Sequence, residues 1–278
     1  MVADADAVFP RNPFDFYKQE PGLDLELCSD APYLANNYEN EPMMVMAGYF
    51  YARGGARTAR FLEEVIAYQA KHPAIHDQQV FNAVLATPKR ASEVLKVRIL
   101  SPYECANGMN YFSARAIQAS AAQPFVIQNN WATGAITKRY RFREHGLWEL
   151  DTAEYLGHDG GGRYLVYDNV QWPLPGAVRE KAALRAAMAL GKMLGRIVIL
   201  PLFCQFHDSL EASEGVLDRW CTMDELFDLD HFTRGFGDQA RRNALLPKVL
   251  GLSTLPSAQL IRASFAPCLG ISTQQLPL

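Results

Sequence analysis

The chain has 278 residues, 49% of them hydrophobic and 21% charged, with a formal net charge of −3. Such a composition suits a folded protein with a sizeable core, as one large or two modest domains. It argues against a general polyanion binder, and no long basic run suggests nucleic acid. No apolar run approaches the roughly 20 residues of a membrane span, and no signal peptide opens at Met1. The five cysteines, Cys28, Cys105, Cys204, Cys221 and Cys268, show no CxxC and no zinc spacing. They leave the compartment open and allow a disulfide or two in a lumenal protein.

In chain order, the first feature is Asp4-Ala5-Asp6 after a short apolar start. In an extended segment residues i and i+2 share a face, so both carboxylates are expected to converge on one cation. Hard divalent ions such as Mn²⁺ or Mg²⁺ take oxygen ligands, commonly one or two carboxylates plus substrate phosphates. Two acidic residues near a chain start also read plainly as solvated surface. Leu25 and Leu27 alternate around Glu26, which predicts a strand running into an acidic turn at Cys28-Ser29-Asp30. A second strand is expected through Gly48-Tyr49-Phe50-Tyr51, with glycine at a close approach.

Gly54-Gly55 then turns the chain into a helix over about 57–71, where Phe61, Leu62, Val65 and Ile66 recur at helical spacing. It should stop at His72-Pro73. A second helix is expected from about His76, with Val80, Phe81, Val84 and Leu85 on one face and Asp77 in the first turn, where a carboxylate suits the helix dipole. Residues 94–100 alternate as a strand, Asn107-Gly108 marks a turn, and Phe125-Val126-Ile127 is a short strand opening onto Gln128-Asn129-Asn130-Trp131. Lys138, Arg139, Arg141 and Arg143 form a basic cluster, read either as a charge partner for a phosphate or as a strand edge guarded by charge. Gly157 to Gly162 reads as a linker. Beyond it, a strand at 164–167, an alanine-rich helix at about 177–194 and a strand at 197–200 make a βαβ unit. Residues 233–278 carry no motif.

The runs DADAVFPRNPF (4–14), Cys28-Ser29-Asp30, AGYFYAR (47–53), HDQQVFN (76–82), NNWATGAITK (129–138) and FREHGLW (142–148) follow one another in a consistent order. Together they resemble the nucleotide-diphospho-sugar transferases, in particular the family 77 glycosyltransferases of plants and algae. The resemblance implies an α/β fold of the GT-A type, here partial and followed by a C-terminal βαβ extension. It implies that Asp4 and Asp6 hold Mn²⁺ (or Mg²⁺) and the diphosphate. Gln128 stands where the family usually has the histidine that completes the metal site, and an amide carbonyl is a weaker ligand. Gly48 would lie beside the donor sugar and Arg53 near its phosphates, with Asn130 and Gly134 in the same donor site. Asp77 and Gln78 would face the reacting sugar, and Lys138 would stabilise the departing diphosphate.

The implied reaction moves a sugar from a nucleotide diphosphate to a hydroxyl of a glycan or glycoprotein. The family also implies retention of anomeric configuration, a pentose or galactose donor, and a Golgi lumen setting. Its members generally carry a membrane anchor, and this chain shows none. Only Met1-Val2-Ala3 precede the acidic pair, so the βα units that grip base and ribose are expected upstream, and the chain alone is expected to bind UDP weakly. The division expected is a transferase domain at 1–156, a linker at 157–163, and an α/β extension at 164–278. In that extension, GAVREKAALRAAMALGKMLGRIVILP (176–201) and CTMDELFDLDHF (221–232) are loosely similar to O-fucosyltransferases. The rival reading is a non-catalytic remnant, a binding or scaffold protein of the same fold.

Overall fold

The computed structural model describes residues 1–17, 22–31, 45–87, 94–114, 116–151, 162–168, 177–200, 227–236, 240–242 and 260–264. The chain forms two compact units, Met1–Thr133 and Gly134–Leu278. The first contains β1 (Val2–Ala3), β2 (Ala7–Val8), α1 (Pro13–Tyr17), β3 (Leu25–Ser29), β4 (Val45–Ala52), α2 (Ala56–Lys71), α3 (Asp77–Ala86) and β5 (Val97–Leu100). These are followed by β6 (Cys105–Ala106), a π-helical turn at Met109–Ser113, α4 (Ala116–Ala119) and β7 (Val126–Gln128).

The main sheet runs β1-β4-β3-β5, with β4 antiparallel to β1 and β3, and β5 parallel to β3. A smaller sheet runs β2-β7-β6, with β7 antiparallel to β2 and parallel to β6. Alternation along β3 separates two cores, as the pleat requires. Leu25 and Leu27 pack with Phe50, Phe61, Phe81 and Val84. Cys28 packs with Phe16, Tyr17, Met46, Tyr49, Leu100 and Val126. The helices expected from apolar periodicity are present, and they meet where Phe61 of α2 sits edge-on to Phe81 of α3, with ring centres 5.1 Å apart. Helix α2 ends at His72, whose N–H returns to Tyr68 O at 3.0 Å, and Pro73 prevents continuation.

Strand β4 is irregular at the place that matters. Leu27 pairs with Phe50, but Ser29 pairs with Val45, so β4 holds extra chain opposite a short piece of β3. That extra chain includes Met46, Ala47 and Gly48. Alternation reverses across it: Val45 and Phe50 share one core, while Met46 and Tyr49 share the other. A bulge re-aims side chains in this way, and glycine within it marks a close approach.

A disulfide joins Cys28 of β3 to Cys105 of β6, with Cα atoms 5.7 Å apart and both residues fully buried. It ties the main sheet to the small one. On the same side, the Tyr17 and Tyr49 hydroxyls hydrogen-bond to each other. Arg98 lies over the Phe16 ring at 4.7 Å and pairs with Glu104 at 3.0 Å and with buried Glu26 at 3.5 Å. At the other end of β3, Asp24 accepts two hydrogen bonds from Arg57 of α2, at 3.0 and 2.9 Å, and one from the Lys96 amide at 2.8 Å.

The second unit contains α5 (Ala135–Glu144), β8 (Tyr164–Asp168), α6 (Ala177–Leu194), β9 (Ile197–Leu200), α7 (Leu229–Phe236), β10 (Ala240–Arg242) and β11 (Leu260–Ser264). Its strands form a parallel sheet in the order β10-β9-β8-β11. The β8-α6-β9 succession agrees with the expected βαβ unit. Leu165, Leu184, Ala187, Met188, Val198 and Leu229 form its core. Helix α6 closes at Gly195, at φ 59, where the Arg196 N–H reaches back to Gly191 O at 2.8 Å. The basic run at 138–143 lies on helix α5 and not on a strand edge. The linker at 157–161, the run at 221–226, and Cys204, Cys221 and Cys268 lie outside the described residues. No described helix is long and apolar enough to cross a membrane.

Candidate functional site

The acidic pair occupies a junction between the two sheets of the first unit. The chain leaves the main sheet at Ala3, paired with Tyr49, and enters the small sheet at Ala7, paired with Gln128. Asp4, Ala5 and Asp6 span the gap as a turn, closed by the Ala7 N–H on Asp4 O at 3.1 Å. This departs from the extended segment expected. A chain that must change sheets within three residues cannot stay straight, so strand alternation does not govern where the two carboxylates point.

Both sides of the turn are anchored to neighbouring strands. The Asp4 N–H donates to Gly48 O at 2.7 Å, and the Asn129 N–H donates to Asp6 O at 2.9 Å. Gln128, 4% exposed at the end of β7, points its amide nitrogen at Asp4 Oδ2, 3.4 Å away. A β-carbon at Gly48 would overlap both that amide nitrogen and the Asp4 carboxylate. Gly48 is therefore required by close approach, and Asp4, Gly48 and Gln128 form one cluster despite their separation in sequence.

A second cluster lies beside it. Asp30, 8% exposed just past β3, accepts from Gln78 Nε2 at 2.8 Å on one oxygen. Its other oxygen accepts from Asn130 Nδ2 at 2.7 Å and Trp131 Nε1 at 2.8 Å. The Asn130 amide oxygen takes the Gly108 N–H at 2.7 Å, and its nitrogen also approaches Met46 Sδ at 3.3 Å. Gln78 completes a bridge by accepting the Ala47 N–H at 3.3 Å. Met46 and Ala47 directly precede Gly48, so the bulged part of β4 borders both clusters.

The two members of the Asp77-Gln78 pair have different surroundings. Gln78 is held at both ends of its amide. Asp77 is 79% exposed at the start of α3, with His76 Nδ1 at 2.9 Å and the Gln78 N–H at 2.7 Å. Arg53 follows the end of β4, and its N–H donates to Asp24 O at 2.9 Å. Gly134 and Lys138 belong to the second unit. Gly134, at φ 83, precedes α5, and the Lys138 N–H closes its first turn on Gly134 O at 3.2 Å.

Asp30 and Trp131 received no role from sequence, although both lie inside matched motifs. Their pairing across 101 positions leaves no local signal. The one hint is an aromatic residue directly after a run of amides. Burial raises the hydroxyl pKa values of Tyr17, Tyr49 and Tyr111, with Tyr49 pushed up to about 12.

The first cluster fits a hard cation. Its side-chain donors are the Asp4 carboxylate and the Gln128 amide, whose Oε1 is buried without a hydrogen-bond partner. Turning that amide over presents its oxygen to the Asp4 side. Among the described residues no three His, Cys, Asp or Glu side chains gather as a metal centre. An ion held by Asp4 and Asp6 would complete its shell from substrate phosphates, as Mg²⁺ and similar ions commonly do.

The first unit is thus a mixed α/β fold with an acidic turn at a sheet junction and a glycine packed closely against it. The chain belongs to the nucleotide-diphospho-sugar transferase family, whose family model matches residues 1–142. It is also similar to the UDP-galactose:fucoside alpha-3-galactosyltransferase of Dictyostelium discoideum, 27% identical over 172 residues. That match takes in 55% of this chain and 26% of the relative, so the chain spans about a quarter of the relative's length. No solved structure matches.

Proposed function

We propose that the chain acts in glycosyl transfer from a nucleotide diphosphate sugar to a hydroxyl of a glycan or glycoprotein, with help from a divalent metal. The observation that carries this reading is the convergence of Asp4, Gly48 and Gln128 on the Asp-x-Asp turn, within the residues matched to the family. Asp4 and Asp6 hold Mn²⁺ or Mg²⁺, with the Gln128 amide oxygen as a third, weaker ligand. When bound, the metal supplies positive charge against the donor diphosphate. Gly48 lets the Asp4 carboxylate and the Gln128 amide pack against the strand, which a β-carbon would prevent. Lys138 and Arg53 are assigned to phosphate charge, and Asp77 with Gln78 to the reacting sugar, on the strength of the resemblance.

Galactose is the favoured donor sugar, because the curated relative is named for UDP-galactose. The Cys28–Cys105 disulfide favours an oxidising compartment, in keeping with a Golgi lumen setting. Retention of configuration belongs to the same proposal. The test is calorimetric titration of the full chain with UDP in the presence and absence of Mn²⁺. Asp4→Asn and Asp6→Asn should each lower Mn²⁺-dependent affinity at least tenfold, and Gln128→His should raise it. Equal Mn²⁺-dependent affinity in wild type and both carboxylate variants would refute the metal assignment.

A further inference from the structure

Trp131 is 45% exposed and follows directly from the amides at the end of β7. Its φ of 56° lies in the left-handed region, which glycine enters freely and a bulky side chain does not. What holds it there is a fixed network. Its indole N–H donates to Asp30 Oδ1 at 2.8 Å, on a carboxylate that also takes Asn130 at 2.7 Å and Gln78 at 2.8 Å. Gln78 and Asn130 are themselves tied to Ala47 and Gly108. The one polar atom of the indole is thus committed inward, and the ring plane is set by groups that cannot readily turn.

A buried carboxylate that orients an exposed tryptophan in a costly backbone conformation makes a rigid aromatic platform. Strain of this kind persists where the surroundings over-determine it, and it gathers at ligand sites. An indole face offers area at little entropic cost, and it suits the apolar C–H face of a pyranose ring. Hydroxyls at the rim of such a ring need acceptors, and exposed Asp77 stands one residue before the Gln78 that braces Asp30. Met46 and Ala47, which border this platform, lead straight to Gly48 at the acidic turn. A sugar on Trp131 would therefore lie next to, and not within, the diphosphate site.

We propose that Trp131, oriented by Asp30, is the acceptor platform of the transferase and stacks on the terminal sugar of the glycoside to be extended. This rests on the donor reading of the Asp4–Asp6 turn. The test measures two ligands on the full chain: UDP with Mn²⁺ by calorimetry, and methyl α-L-fucopyranoside or methyl β-D-galactopyranoside by tryptophan fluorescence and saturation-transfer NMR. Trp131→Gly suits the left-handed backbone and keeps the fold, and Trp131→Phe keeps a ring without the N–H.

The expected result is a glycoside affinity at least tenfold lower in Trp131→Gly and intermediate in Trp131→Phe, with UDP affinity within twofold of wild type. Equal glycoside affinity in wild type and Trp131→Gly overturns the platform. So does failure of both glycosides to saturate the wild type at 50 mM or so. A tenfold loss of UDP affinity in Trp131→Gly with glycoside binding intact would place the donor base on the indole and overturn the acceptor assignment. Trp131-dependent glycoside binding in a chain that binds no UDP upholds the platform and sinks the donor reading, so the two failures are distinct.

Discussion

Removing the Cys28–Cys105 disulfide probes how the first unit holds its site. The bridge closes a loop of 77 residues between two fully buried sulfurs. In the chain-entropy account the stabilisation is 2.1 + 1.5R ln n in cal/mol/K, which for this loop at 25 °C comes to about 4.5 kcal/mol. Against a whole-domain stability of roughly 5–15 kcal/mol, that is roughly 30% or more. Ser29 and Asp30 follow Cys28 directly, and Asn107, two residues past Cys105, donates to Ala31 O at 2.9 Å. Loss of the bridge should therefore loosen the Asp30 network as well as the sheets. The perturbation is Cys28→Ala with Cys105→Ala, since alanine leaves no buried hydroxyl. The assay is urea unfolding followed by hydrogen exchange of β3 and β4 amides, which reports on the first unit alone. Stability should fall by about 4 kcal/mol, and wild type in reductant should behave like the variant. A loss below about 1 kcal/mol would refute the reasoning, because denatured-state confinement would then not be what the bridge supplies.

Gly48→Ala forces the Gln128 amide and the Asp4 carboxylate apart, so it should cost about 1–2 kcal/mol of stability and at least tenfold in Mn²⁺-dependent UDP affinity. Unchanged UDP affinity by calorimetry would show that these groups do not meet the donor. Burial raises the Tyr17 and Tyr49 hydroxyls above the usual tyrosine range, Tyr49 to about 12. A raised folded-state pKa gives stability that is complete below pH 10 or so and lost as pH rises through about 12. Tyrosinate absorbance should show these two ionising only as the chain unfolds, and a chain that keeps its circular dichroism while every tyrosine titrates would contradict this. For Asp24, burial raises the pKa but is outweighed by the Arg57 and Lys96 hydrogen bonds, so the value is lowered. Its contribution is present above the ordinary aspartate pKa and lost as pH falls through the lowered value. Asp24→Asn should accordingly be less stable than wild type at pH 7, and the two should converge in strong acid when urea midpoints are compared.

Helices α2 and α3, strand β3 and the β8-α6-β9 unit were legible in the sequence because each rests on local order. Phe61, Leu62 and Val65 repeat at helical spacing, Leu25 and Leu27 alternate around Glu26, and Pro73 marks where a helix must end. Family membership was legible for a similar reason, since several short motifs recur in a consistent order. The acidic pair and Gln128 could be named from those motifs, but the contact of Gln128 with Asp4 could not be derived from alternation. It needed a turn between two sheets, which depends on β1 pairing with β4 and β2 with β7. Five cysteines offered no pairing until the fold brought Cys28 and Cys105 to a Cα distance of 5.7 Å. The Asp30–Trp131 bond joins residues 101 positions apart. Periodicity acts over a few residues, whereas contacts of this range are chosen by which sheet edges meet. The tertiary structure alone decided that a tryptophan would be held beside the acidic turn.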